Sequence, residues 1–290
     1  MEFLHAIVLG IIQGVAELFP ISSAAHTLLL SYLFGWPLPS LPFVVMLHLG
    51  TFLAVLVYFA GDYLKLISGL FTGFRDRWRQ PFERLALLII VGTIPLAVVG
   101  KIFERQFDAL FAKPAFAAAF LLVTGLLLFG VERVRQRAGR AENISWWGAF
   151  WVGASQVGGL VPGGSRSAFS IVTGMLFGLS REEAARFSFL LAGPAIVGAS
   201  ALELRRVIHP HVAPAAGAPL QHGIAALGVA PEPLLVIATG FIVAFISGLF
   251  AIRFFMRYVD DHRLTPFAIY CWIFGLAMLV LVLMRQHGAV

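Results

Sequence analysis

Apolar residues run almost unbroken through six stretches of the chain, approximately 43–60, 85–102, 115–131, 187–204, 234–252 and 266–284. Each is close to the roughly 20 residues that a helix needs to cross a bilayer, and each predicts a transmembrane helix. Two further apolar stretches, 2–34 and 146–179, are interrupted. Gln13, Glu17, Pro20, Ser22, Ser23 and His26 fall in the first, and Gln156, Pro162, Gly163, Gly164, Ser165, Arg166 and Ser167 in the second. Backbone that leaves the helix at membrane depth is tolerated only where protein or a water-filled cavity covers it. These two stretches therefore predict re-entrant helical hairpins rather than spans.

Composition removes the soluble alternatives. Of 290 residues, 59% are hydrophobic and 12% charged, against roughly 25% charged in a soluble domain. So few charges cannot cover the surface of a compact soluble fold, and so apolar a chain does not stay disordered. The class expected is an all-α polytopic membrane protein. A net charge of +6 fits basic loops beside anionic headgroups, so the bilayer and not nucleic acid is the expected partner. The one cysteine, Cys271, excludes an intrachain disulfide.

Loop charge predicts orientation. Residues 61–84 carry Lys65, Arg75, Arg77, Arg79 and Arg84; residues 132–142 carry Arg133, Arg135, Arg137 and Arg140; residues 253–263 carry Arg253, Arg257 and Arg263. All three segments read as cytoplasmic loops, whereas 207–232, with no Lys or Arg after Arg206, reads as external. Only one path joins these assignments: each hairpin is followed by three spans. Three is odd, so residues 143–290 repeat residues 1–142 in inverted topology. Spacing agrees, since Ser23 and Ser165 each follow their proline by three residues, at an offset of about 142. In such repeats the site lies at the midplane, where broken helices meet.

The chemistry gathers at the two breaks. Gln13 and Glu17 are four apart and share a helix face. Pro20 ends that helix, Ser22 or Ser23 can cap the next, and His26 lies three or four residues into it. A carboxylate at membrane depth costs several kcal/mol and marks function. In the second hairpin, Gly163 and Gly164 let backbone N–H groups approach an anion at a helix start, and Arg166 adds a fork of donors suited to phosphate. No zinc-type Cys/His cluster is present. The set suits a lipid with a phosphate or diphosphate head, and two uses of it stay open. One is hydrolysis; the other is transport of a lipid phosphate or another anion. A nucleophile beside a base, as Ser23 and His26 would be, is needed only for the first.

The motifs Gln13-x3-Glu17, Pro20-x-Ser22-Ser23-x-x-His26 and Pro162-Gly163-Gly164-Ser165-Arg166-Ser167 resemble those of the undecaprenyl-diphosphate phosphatase family of bacteria, the bacitracin-resistance type. The resemblance continues through Leu49 to Val55, Gly92-Thr93-Ile94-Pro95, Phe187 to Ala192, Arg257-Tyr258 and Phe267 to Gly275. It implies a multi-pass protein of the bacterial inner membrane whose site opens to the periplasm. The implied reaction takes one phosphate from undecaprenyl diphosphate and so recycles the lipid carrier of cell-wall synthesis. It also implies six spans with two hairpins, and a divalent metal, Mg²⁺ or Ca²⁺. By position, Ser23 matches the nucleophile, His26 the acid/base, Glu17 and Gln13 the pair linked to metal and catalysis, and Arg166 the phosphate-binding arginine. Ser22, Ser165, Ser167 and Ser170 match hydroxyls around the phosphate. Four positions depart from the pattern: Gln13 stands for the commoner Glu, Ala168 for Gly, His48 for Gln and Cys271 for Arg. A homodimer is left open.

Overall fold

The computed structural model describes residues 2–134, 138–208 and 232–287. Most of the expected external stretch 207–232, and Arg135 and Arg137 of a basic loop, lie outside the described residues.

Within them the fold is helical. The first interrupted stretch forms α1 (Phe3–Ala16) and α2 (Ser23–Phe34), separated by a break around Pro20. Then come α3 (Leu41–Tyr58), α4 (Ala60–Asp76), α5 (Pro81–Ile102), the short α6 (Glu104–Leu110) and α7 (Pro114–Val131). The second interrupted stretch forms α8 (Trp146–Ser155), a 3₁₀ turn (Gln156–Leu160) and α9 (Arg166–Leu176). The chain continues through α10 (Arg181–Ile208), α11 (Leu234–Asp261) and α12 (Thr265–Gln286). Proline opens α5, α7 and α12 at a position where its missing N–H costs nothing.

Four helices, α5, α7, α11 and α12, are long and apolar enough to cross a membrane, and five spans result if α3 and α4 count as one bent pair. All six expected stretches are helical. The sixth, 187–204, lies in α10, which is not among the helices meeting that criterion over the described residues. The segment 61–84, expected as a basic loop, is a helix for most of its length: α4 leaves α3 at an angle of 83°.

Helices cross where side chains are small. α1 runs along α11, α8 along α5, α3 lies against both α10 and α11, and α7 pairs with α12. With lipid tails as apolar as leucine, van der Waals contact between closely approaching backbones drives such pairing. At Gly14 an added Cβ would sit 1.9 Å from the Ser247 hydroxyl oxygen, and at Gly153 one would sit 1.8 Å from the Gly92 carbonyl oxygen. The second contact is with backbone and has no rotamer to relieve it. Gly153→Ala is therefore expected to force α8 and α5 apart at a cost of about 1–3 kcal/mol, read as a lower melting midpoint in detergent. An unchanged midpoint would show that the crossing tolerates a methyl group.

Charged side chains gather at one end of the bundle. Arg186 reaches Asp62 and Glu142 at 2.8 and 2.9 Å, and Arg181 holds Glu132 through two hydrogen bonds of 2.8 and 2.9 Å. Arg84 donates to the backbone carbonyls of Glu142 and Ile144. These links tie α4, α5 and the segment before α8 to α10, and leave the central layer to the two breaks.

Candidate active site

Each break brings a helix N-terminus to a common cavity. Ser22 caps α2, its hydroxyl accepting from the Ala25 N–H at 3.3 Å. Ser165 caps α9 in the same way through the Ala168 N–H at 3.2 Å. The first residues of these helices are Ser23 and Arg166, so the unpaired N–H groups and dipoles of both helices favour negative charge between them. The cavity measures ≈ 270 Å³ and is lined by Glu17, Ser23, His48, Gly164, Ser165 and Arg166, among others.

Glu17 is the hub. One oxygen forms an ion pair with Arg166. The other accepts from the Ser23 hydroxyl at 2.6 Å and from the Gln13 amide at 3.3 Å. Thus residues 149 positions apart meet in one hydrogen-bonded chain running Ser23, Glu17, Arg166. A pocket of ≈ 10 Å³, about one water in size, also borders Glu17 and Arg166 and touches Ser167 and Ser188.

Other expected residues sit nearby with different partners. His26 does not line the cavity: its Nδ1 donates to the Ser22 carbonyl at 2.8 Å, and its Nε2 accepts from the Tyr270 hydroxyl at 2.7 Å. Its ring stacks on Phe274 with centroids 4.6 Å apart. Ser22 has φ +69°, a left-handed conformation that costs a residue with a Cβ about 1–2 kcal/mol. The His26 bond to its carbonyl and the cap through its hydroxyl hold that turn, and the turn presents Ser23. Ser167 bonds to Ser165 at 3.1 Å and to the Phe19 carbonyl at 3.2 Å. Ser170 turns to the Arg166 carbonyl and to Ser188. Gly163 (φ +96°) packs on α7, where an added Cβ would meet the Ala117 carbonyl at 2.2 Å. Cys271, fully buried, points its Sγ at the Pro20 carbonyl, 3.9 Å away.

Two residues join the site that motif spacing did not place there. His48 of α3 lines the cavity, its Nε2 3.7 Å from Glu17, while its Nδ1 donates to the Val44 carbonyl at 2.9 Å. Tyr270 completes the hydrogen bonding of His26. An ionisable residue within an apolar span was the available signal for His48; nothing local marks Tyr270.

Among the described residues no three of His, Cys, Asp and Glu come together as a metal cluster. Glu17 is the one carboxylate lining the cavity, and both its oxygens already have partners. Gln13 is buried behind it and absent from the lining. Such a donor set makes no all-protein cage, but it fits a hard cation that is bound through one carboxylate and completes its shell with phosphate oxygens.

A bundle of apolar helices that encloses a serine, a carboxylate and an arginine between two helix N-termini defines a membrane protein with a polar cavity suited to an anion. The chain belongs to the family described as bacitracin resistance protein BacA, whose model matches residues 6–277. It is 39% identical over 290 residues to undecaprenyl-diphosphatase 2 of Oenococcus oeni, covering 96% of this chain and 98% of that one. It is 38% identical to an undecaprenyl-diphosphatase of Geotalea daltonii over 97% and 99% of the two chains. With one of Rubrobacter xylanophilus it shares 39% over 98% and 99%.

Proposed function

We propose that this protein hydrolyses undecaprenyl diphosphate to undecaprenyl phosphate and inorganic phosphate, returning the lipid carrier to cell-wall synthesis. The observation that carries this is the hydrogen-bonded chain Ser23–Glu17–Arg166 facing the cavity between two helix N-termini. Arg166 and the N–H groups at the starts of α2 and α9 neutralise the equatorial oxygens of the terminal phosphate. Glu17 takes the Ser23 proton as the hydroxyl oxygen attacks phosphorus; the bond to the bridging oxygen breaks, and undecaprenyl phosphate departs. Water then hydrolyses the phosphoserine. The same carboxylate could instead take the proton of an attacking water, with Ser23 orienting it. A divalent cation, Mg²⁺ or Ca²⁺, would be held by Glu17 and would supply charge neutralisation at the phosphate oxygens.

The architecture proposed is six spans and two re-entrant hairpins, with residues 1–142 and 143–290 as inverted repeats. Helix pairing supports this: exchanging the halves turns the α1–α11 contact into α8–α5, and pairs α3 with α10 and α7 with α12. The arginine-rich loops support a reading in which the basic end faces the cytoplasmic side of a bacterial inner membrane and the cavity opens to the periplasm.

The test is phosphate release from purified protein in detergent with a polyprenyl diphosphate. Wild type is expected to release phosphate, to stop when divalent cations are chelated, and to recover with Mg²⁺ or Ca²⁺. Ser23→Ala is expected to be near background. Equally low release from both proteins would end the phosphatase assignment and leave transport as its successor.

A further inference from the structure

No residue of the 83° bend after α3 lines the cavity. With α3 crossing the bilayer, as proposed above, a turn of this size would carry α4 close to the membrane plane. One face of α4 is closed by protein. The Tyr63 hydroxyl donates to the carbonyls of Phe189 and Leu190 at 3.3 Å, Asp62 holds Arg186, and Leu66, Gly69 and Gly73 are buried. The other face carries Leu64, Ile67, Phe71 and Phe74, which are 68%, 53%, 76% and 83% exposed. Their spacing of three, four and three residues makes one continuous stripe. Beside it Lys65, Arg75, Arg77 and Arg79 are all exposed. Of the acids on this segment, Asp62 and Asp76 are paired with Arg186 and Arg75, and Glu83 is buried.

An apolar stripe of this size needs a cover, and the exposed cations select its chemistry. We infer that α4 lies in the headgroup layer of the bilayer, its Leu64–Phe74 stripe in the acyl boundary and its basic residues on anionic lipid phosphates. A helix in this position sinks about 5–10 Å into the headgroup and acyl boundary, and juxtamembrane Lys and Arg favour anionic over zwitterionic lipid. This goes beyond the phosphatase reaction, since no residue of the stripe or of its basic margin lines the cavity.

The experiment places a nitroxide at Phe71→Cys in protein reconstituted into phosphatidylglycerol or phosphatidylcholine nanodiscs. Cys271 is fully buried, which directs labelling to the new thiol. Collisions with oxygen, which dissolves among acyl chains, are expected to dominate those with a water-soluble nickel chelate. Dominance of the nickel chelate, meaning water at the stripe, overturns the inference. So does shielding from both reagents, which would mean a second copy of the chain covers it. In parallel, the wild-type melting midpoint is expected to be about 2–4 °C higher in phosphatidylglycerol than in phosphatidylcholine. The variant Arg75→Gln/Arg77→Gln/Arg79→Gln should lose most of that difference while releasing phosphate in detergent at the wild-type rate. Equal wild-type midpoints in the two lipids, or an undiminished difference in the variant, overturn it as well. The wild-type rate in detergent, measured alongside, reports on the phosphatase assignment independently.

Discussion

Replacing Arg166 with alanine is expected to lower kcat/KM for phosphate release about 10²–10³-fold, the scale on which one preorganised donor to a developing oxyanion acts. Two losses contribute. The terminal phosphate loses a planar fork of donors at the first residue of α9, where the helix N-terminus already favours negative charge. Glu17 also loses its charge partner, and an uncompensated carboxylate in a buried setting tends to take up a proton, which would disable it as a base. Arg166→Lys separates these effects. A lysine restores charge beside Glu17 without the two-pronged geometry, so it should recover part of the rate and most of any lost thermal stability. Full activity in Arg166→Ala would assign the arginine to structure alone.

Glu17→Gln is expected to lower kcat about 10²–10⁴-fold, the usual range for loss of a general base. The amide keeps the shape of the carboxylate but has one oxygen for two donors; with that oxygen on Ser23 its NH2 group faces Arg166, so the turn at Pro20 should survive while loss of the ion pair lowers the melting midpoint. What disappears is the capacity to take a proton from the Ser23 hydroxyl, 2.6 Å away. Because the two groups act as a unit, Glu17→Gln/Ser23→Ala should be no slower than the slower single variant. Additive losses in the double variant would show that the two residues serve separate steps.

Glu17 and Arg166 stand out in the sequence because few charges lie within the apolar stretches and each is costly there; the structure brings the two together at the cavity. The breaks were legible too, because Pro20 and Pro162-Gly163-Gly164 cannot continue a helix. His26 shows where spacing fails. Three residues beyond Ser23 along a helix, it shares the serine's side of α2 in sequence, yet its ring turns to Tyr270, 244 positions away, and its Nδ1 to the backbone of the strained turn. Helical periodicity gives a residue's direction from the axis; the partner that captures its ring comes from another helix. The same holds for Ser170, whose place in the motif suggested phosphate but whose hydroxyl is taken by its own helix and by Ser188. In α4 the structure adds a helix where loop charge predicts only a connection. The arginines that predict a basic loop also flank an apolar stripe of helical period, so charge alone does not reveal α4.

The amino-acid sequence by itself determined that this chain is a helical membrane protein and where its long apolar helices run, because burying backbone and charge in hydrocarbon leaves few alternatives. Only the tertiary structure decided which of the polar groups meet. Glu17, Ser23, His48 and Arg166 come from three regions of the chain, and the rotation of each helix against its neighbours selects, among side chains of similar spacing, the ones that face the cavity.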